Sequence, residues 1–272
     1  LTILSREDPE VVEVLRGLLG GAGIRLLEGW RVEAASGGPG AISVRLARGE
    51  EVLELDGSHL LIAAGRRPHL DALDLAAAGI EAHAGGIALD RRLRTSNKRV
   101  YAVGDAAGGP QFTHVASYHA GLVLRNALFR LPAKVDHRLV PRVTFTDPEL
   151  AHVGWSEAEA RTGGREVRVL RWSFAENDRA QTERATDGLV KVVVDKRGRI
   201  LGATLLGLRA GELLQPWILA MSNGLKIAKM AAVMAPYPTL GEVNKRVAGS
   251  FFAPTLFGPR TRRLVRLLAA FG

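Results

Sequence analysis

Two hydrophobic periods alternate along this chain. In PEVVEVLRGLLGG (9–21) the apolar residues recur at helical spacing. Asp8 stands as N-cap, Pro9 at the first helical position and Glu10 in the first turn, and Gly20, Gly21 and Gly23 close the segment. The period then shortens. IRLLEGWRVEAA (24–35) and AISVRLARG (41–49) read as strands joined by the turn SGGPG. EEVLELDGSHLLIAAG (50–65) holds another strand and then a short buried one, Leu60 to Ala64. One helix followed by four strands reads as the second half of an α/β nucleotide-binding unit over 1–65. The G-x-G-x-x-G fingerprint that opens such units occurs nowhere in the chain.

LDALDLAAAGI (70–80) reads as helical and GGIALD (85–90) as extended. In TSNKRVYAVGDAAG (95–108) a buried strand, Val100 to Val103, ends abruptly in Gly104-Asp105. THVASYHAGLVLRNALF (113–129) reads as a helix with small residues on one face. After Leu131-Pro132 the character changes. VPRVTFTDPELAHVGWS is extended, EAEARTG a short helix and VRVLRWSF a strand. LVKVVVDKRGRILGATLLG (189–207) is a hairpin turning over Asp195 to Gly198. Residues 210–234 are largely helical, and 239–252 is helical again, with Thr239 and Glu242 placed as a capping box. A boundary near 136 separates the first α/β part from an α+β unit over 137–250.

Composition narrows the classes. The 272 residues are 47% hydrophobic and 24% charged, a globular balance with room for two modest domains. No apolar run reaches eighteen residues, and LTILSREDPE is not a signal segment, so a cytoplasmic setting is expected. With no cysteine, disulfides and thiolate chemistry are excluded within the chain. The seven histidines show no HxxxH or HExxH spacing, so no metal site is expected. The net charge of +9 is spread along the chain without a groove-reading motif, which argues against nucleic-acid binding.

Asp105 is the sharpest chemical feature. Ligands of open α/β sheets sit at the carboxyl ends of strands. Gly104 lets a ligand approach the backbone, and an ionised Asp accepts hydrogen bonds from hydroxyls, as on a ribose or polyol chain. The helix starting near Thr113 offers partial positive charge to an electron-rich ring. The plainer reading is a Gly-Asp turn that caps a helix.

With its flanks, TSNKRVYAVGDAAG resembles the second flavin-binding motif of the FAD-dependent pyridine nucleotide–disulfide oxidoreductases. That family includes dihydrolipoamide dehydrogenase, glutathione reductase and mercuric reductase. LLIAAGRRPH (60–69) resembles the segment that leaves the nicotinamide domain and re-enters the flavin domain. VPRVTFTDPELAHVGWSEAEA (140–160) and GRILGATLLG (198–207) resemble the start and the central hairpin of the dimerisation domain. The resemblance implies an α/β fold, with partial nucleotide-binding and FAD-binding domains, plus an α+β dimerisation domain. It places 1–65 in the C-terminal half of the NAD(P)-binding domain, 66–136 in the FAD-binding domain, 137–250 in the dimerisation domain and 251–272 in a tail helix.

By the same resemblance Asp105 binds the ribityl hydroxyls of FAD. Gly65 and Gly104 belong to the cofactor-binding backbone, and Phe112, Thr113 and His114 approach the isoalloxazine ring. His114 reads equally as a cap or a packed side chain. NAD(P)H is the implied electron donor and a homodimer the implied assembly. In APYPTLGE (235–242) the thiol-reducing members carry a histidine before Pro-Thr, paired with a glutamate. Here Glu242 is present, but Tyr237 stands in the histidine's place. That departure puts lipoamide and glutathione reduction in doubt, and a C-terminus without cysteines leaves mercury handling unsupported. Packing accounts equally well for Tyr237, and capping for Glu242.

The family's upstream fingerprints and its cysteine pair are absent from this chain. The chain is therefore expected to correspond to the C-terminal part of a longer enzyme, to bind FAD poorly alone and to turn over nothing alone. The alternative is a catalytically silent dimerisation and interaction module. In the tail, Arg260, Arg262, Arg263 and Arg266 mix with Leu264, Val265, Leu267, Leu268 and Phe271. This is a short basic amphipathic helix suited to weak contact with an anionic membrane surface, or to docking on a partner subunit.

Overall fold

The computed structural model describes residues 2–162 and 164–270. The chain divides into two compact units. One takes the N-terminal segment through Ala35, Val44–Leu55 and the chain from Pro141; the other takes Ser36–Ser43 and Asp56–Val140.

The first unit is built on a five-stranded sheet. β6 (Arg142–Thr144), β7 (Glu149–Gly154), β8 (Val167–Ser173), β9 (Leu189–Asp195) and β10 (Ile200–Gly207) lie in the order β6-β7-β10-β9-β8. Every neighbouring pair is antiparallel, with Leu205 opposite both Ala151 and Val190. β10 is buried along its whole length, because it is central and covered on both faces. The β9–β10 hairpin turns at Asp195, whose Oδ1 accepts from the N–H groups of Arg197 and Arg199.

α1 (Pro9–Gly21) packs on this sheet, with Val11, Val12 and Leu15 meeting Leu150 and Leu206 in a closed apolar cluster. Its start follows the sequence reading: Asp8 accepts from the Glu10 N–H and Pro9 opens the first turn. Asp8 also receives the buried ammonium of Lys191 on β9, at 2.8 Å. Lys191 reaches Glu10 at 2.8 Å and Glu157 at 3.0 Å as well, so one cation serves three carboxylates. Glu157 opens α3 (Glu157–Thr162); Gly163, which closes the predicted EAEARTG helix, lies outside the described residues. A second cluster joins Ala160 to Val193 and Leu201.

The helices α4 (Asp178–Glu183), α5 (Ala210–Leu213), α6 (Gln215–Ser222), α7 (Ile227–Ala231), α8 (Glu242–Ser250), α9 (Ala253–Leu256) and α10 (Pro259–Ala269) complete the unit. Trp217 of α6 is fully buried and donates through Nε1 to Asn244 Oδ1 of α8 at 2.7 Å, which ties two helices at a satisfied polar point. α10 is a helix as expected, with Leu264, Val265, Leu267 and Leu268 exposed; Phe271 lies outside the described residues. Among the described residues no helix is long and apolar enough to cross a membrane.

The strands β1 (Arg31–Gly38), β2 (Ala41–Arg48) and β3 (Glu51–Gly57) form a sheet in that order. β1 begins seven residues later than predicted, after Gly29 at φ +78°. Leu60–Ala64 is not the short buried strand expected. It has no strand geometry, and Leu61 and Ile62 are strongly exposed. A buried parallel-type strand needs neighbours on both edges, and among the described residues no strand pairs with it.

In the second unit, β4 (Ala82–His83) pairs with β5 (Gly86–Ile87), and α2 (Thr113–Ala127) is the long helix foreseen. Leu93, Leu122 and Ala133 form its core cluster. The helix predicted over 70–80 is instead a single 3₁₀ turn, Asp71–Leu73, followed by turns. Asp74 adopts a left-handed conformation, and its carboxylate accepts from the Ala77 N–H, which competes with helix continuation. Val100–Val103 is likewise not a sheet strand. It is one arm of a tight hairpin with a single bridge, Tyr101 to Arg94, and Ala102 is buried while Val103 is partly exposed.

Candidate functional site

The bridged arm delivers the chain to Gly104, which begins a 3₁₀ turn over Gly104–Ala107. Gly104 has φ +62°, and a Cβ there would meet the Ala116 Cβ of α2 at 3.0 Å. A glycine is required both for the backbone conformation and for the close approach of turn to helix. The turn closes with the Gly108 N–H donating to the Asp105 carbonyl at 3.1 Å.

The Asp105 carboxylate is left partly exposed, with Arg66 Nε 3.4 Å from its Oδ2. Arg66 also donates through Nη2 to the Gln111 carbonyl at 2.6 Å. Arg66 follows Gly65, which sits at φ +108°. One guanidinium therefore joins three separated stretches of the second unit: the Gly65-Arg66 segment, the Gly104-Asp105 turn and the approach to α2. Arg66 was not among the sequence-predicted site residues. Its signal was the basic pair Arg66-Arg67 directly after Gly65, in a segment otherwise apolar.

α2 begins at Thr113 after Phe112, and no side chain caps this end. Its first turn directs N–H groups and partial positive charge outward. The rings of Phe112 and His114 stack at 5.1 Å with an interplanar angle of 12°. Six residues into the helix, His119 is completely buried, and its Nδ1 accepts from the Gly104 N–H at 3.2 Å. His119 Nε2 lies 2.9 Å from His137 Nε2. Burial and the neighbouring His137 hold His119 below the ordinary histidine range. The sequence reading missed this pair, because the two histidines are far apart in the chain and show no metal-type spacing.

Tyr237 and Glu242 are directed to different partners within the first unit. The exposed Tyr237 hydroxyl donates to Asp178 Oδ2 at 2.7 Å. That hydrogen bond, with the charge of Asp178, raises the phenol above its ordinary value, which keeps it protonated at neutral pH. The mostly buried Glu242 carboxylate pairs with Arg246 one turn along α8, at 2.7 Å. The capping box predicted for this helix does not form. Gly241 is the N-cap, and the Thr239 hydroxyl donates to the Pro236 carbonyl at 2.8 Å instead. Tyr237-Pro238 is a cis peptide bond.

Residues 140–248 match the dimerisation domain of the pyridine nucleotide-disulphide oxidoreductases, and residues 2–120 match that family's pyridine nucleotide-disulphide oxidoreductase domain. The chain belongs to the pyridine nucleotide-disulphide oxidoreductases. It is 37% identical over 253 residues to a mercuric reductase of Bacillus cereus, covering 92% of this chain and 40% of that one. It is 35% identical over 212 residues to a dihydrolipoyl dehydrogenase of Bacillus subtilis (strain 168), covering 77% and 45%. Its fold matches the HOCl-induced flavoprotein disulfide reductase RclA from Escherichia coli with a TM-score of 0.84 at 28% identity, covering 91% of this chain and 57% of that one. The chain thus spans about half the length of these relatives. The family resemblance and the mixed fold read from the sequence both hold.

Proposed function

We propose that this chain carries the flavin-ribityl site and the dimerisation domain of an FAD-dependent NAD(P)H oxidoreductase of the disulfide-reductase type. Electrons would pass from NAD(P)H through FAD to a disulfide, a dithiol or another acceptor. The observation that carries this reading is the arrangement around Asp105. Its partly exposed carboxylate stands on a glycine turn beside the uncapped start of α2.

The residues present fit FAD. Asp105 accepts hydrogen bonds from hydroxyls, as a ribityl chain requires. The Gly104 turn lies so close to α2 that a Cβ would meet Ala116, which keeps Asp105 beside the body of that helix. The start of α2 at Thr113 and His114 suits a ring that gains negative charge on reduction. FAD would supply the two-electron relay between nicotinamide and acceptor. Arg66 orients the Asp105 carboxylate from one side, leaving its other face to the hydroxyls. Gly65 lets Arg66 enter the site in an extended, positive-φ turn.

Tyr237 and Glu242 stand for the acceptor end of the reaction. With its hydrogen bond given to Asp178, the Tyr237 hydroxyl offers lone pairs and its ring lines the cleft, and Glu242 braces the start of α8 through Arg246. The division into 1–65, 66–136, 137–250 and 251–272 is proposed on the family pattern, as are a homodimer through 137–250 and a cytoplasmic setting. The basic face of α10 suits weak contact with an anionic membrane surface. The match to both family domains favours this enzyme reading over a silent interaction module.

FAD affinity of Asp105→Ala against Asp105→Asn, in a polypeptide of the relatives' length, tests the site. Losing charge-assisted hydrogen bonds should weaken binding by about ten- to a hundredfold in Asp105→Ala, with Asp105→Asn between it and the wild type. Equal affinity in all three would remove the reading.

A further inference from the structure

We infer that His119 and His137 form a neutral two-histidine clamp that fixes the Gly104–Asp105 turn, making His119 the positioning residue for the Asp105 carboxylate. The inference deepens the flavin-site reading above and rests on it. The clamp itself is a property of the chain without cofactor.

The argument begins with a backbone donor. The Gly104 N–H is buried at the head of the turn, and such a group needs an acceptor. It finds one in His119 Nδ1, carried on the rigid body of α2. That bond fixes the tautomer, because a nitrogen that accepts cannot carry a proton. The neutral His119 ring must then hold its proton on Nε2, directed at His137 Nε2 2.9 Å away. His137 must accept there and carry its own proton on Nδ1. The two rings meet at 5.2 Å with an angle of 37°.

His137 is anchored in its turn. The adjacent Asp136 N–H donates to the Tyr118 hydroxyl at 3.0 Å, and Tyr118 precedes His119 on α2. The Val135 N–H donates to the Arg91 carbonyl at 2.8 Å. At the far end of the loop, a Cβ on Gly109 would lie 3.8 Å from His137 Cε1. The pair therefore holds the turn at Gly104, with the second ring set by the 135–136 segment behind it.

Two neutral rings satisfy all three positions in one way only. A proton added to His119 lands on Nδ1 and opposes the Gly104 N–H. A proton added to His137 lands on Nε2 and opposes the His119 proton, or drives His119 into the other tautomer. Each case breaks one of the two bonds. The charged groups around the pair are engaged elsewhere: Asp136 with Arg138 at 2.6 Å, and Asp105 with Arg66. Arg91 adds positive charge near Asp136. None of these stabilises an imidazolium within the pair. Burial pushes in the same direction by holding His119 neutral. Because the folded-state value of His119 lies below the ordinary 6.5, its bond from the Gly104 N–H is intact above pH 6.5 and is lost as pH falls through the lowered value.

Imidazole ¹⁵N spectra of the ¹⁵N-histidine-labelled chain test the clamp without cofactor. The expected result at pH 7.5 is an unprotonated His119 Nδ1 and a protonated Nε2, a pattern lost at acid pH as His119 gains its second proton. A proton on His119 Nδ1 at pH 7.5 would overturn the clamp. His119→Asn keeps an acceptor near the Nδ1 position, whereas His119→Leu removes it. Gly104 amide exchange should quicken about tenfold in His119→Leu and stay near wild type in His119→Asn. FAD titration of a polypeptide of the relatives' length should follow the same order, about tenfold weaker in His119→Leu and nearly unchanged in His119→Asn. A quickened Gly104 amide with unchanged FAD affinity would overturn the positioning role. If Asp105→Ala also left FAD affinity unchanged, the flavin-site reading would fall with it, while the spectra would still decide the clamp.

Discussion

Replacing Lys191 with methionine should be among the most damaging single changes to the first unit. The Lys191 side chain is 4% exposed, and its ammonium lies within 3.0 Å of Asp8, Glu10 and Glu157. Methionine fills the stem but removes the charge. Glu10 keeps Arg171, and Glu157 keeps Arg161 and a longer contact to Arg171. Asp8, only 3% exposed, loses the cation that hydrogen-bonds it. Breaking a buried pair by deleting one partner costs about 3–5 kcal/mol. At about 2–4 °C per kcal/mol for a body of this size, Lys191→Met should lower the melting temperature by roughly 6–20 °C. Thermal unfolding followed by circular dichroism measures it. Adding Asp8→Asn keeps the helix cap and removes the stranded charge, so the double variant should recover at least about 1 kcal/mol relative to Lys191→Met. A loss under about 1 kcal/mol in Lys191→Met, or no recovery in the double variant, would refute the reasoning.

Three further outcomes follow from the same structure. Glu10 is held at about 2, first by its hydrogen bond to Arg171 and then by Lys191, so its contribution is present above pH 4.5 and is lost as pH falls through about 2. Because the side chain is more than a third exposed, the loss discounts to about 1 kcal/mol, and acid unfolding of Glu10→Gln should show that much less pH dependence over this window. In a polypeptide of the relatives' length, Tyr237→Phe should leave the melting temperature unchanged and the pH profile of turnover without a lost limb below pH 10; a limb that vanishes with the hydroxyl would make Tyr237 a proton carrier after all. Deleting 259–272 should abolish salt-sensitive co-sedimentation with phosphatidylserine vesicles, and unchanged binding would remove the membrane contact.

What the sequence showed depended on whether a signal was local. The Asp8-Pro9-Glu10 start is a self-contained cap, and it appears as read. The β9–β10 hairpin carries its own turn at Asp195, and it appears as read because both of its strands lie in the same stretch. Leu60–Ala64 and Val100–Val103 failed because an apolar run announces burial but not the neighbours that make it a strand. The Thr239–Glu242 pattern fits a capping box, but the Pro236 carbonyl and Arg246 claim the two side chains first. That a turn stands at Gly104-Asp105 was legible, because a glycine next to an aspartate signals one locally. Arg66, His119 and His137 were not, since each gains meaning only from a contact with a distant part of the chain.

The most direct test of the flavoenzyme account is the flavin spectrum of the purified protein, read beside its intact mass and repeated after adding NAD(P)H. The account predicts a bound yellow flavin in a polypeptide of the relatives' length, bleached by NAD(P)H and held about ten- to a hundredfold more weakly in Asp105→Ala. A colourless polypeptide of that length, or a flavin that Asp105→Ala retains in full, would contradict it.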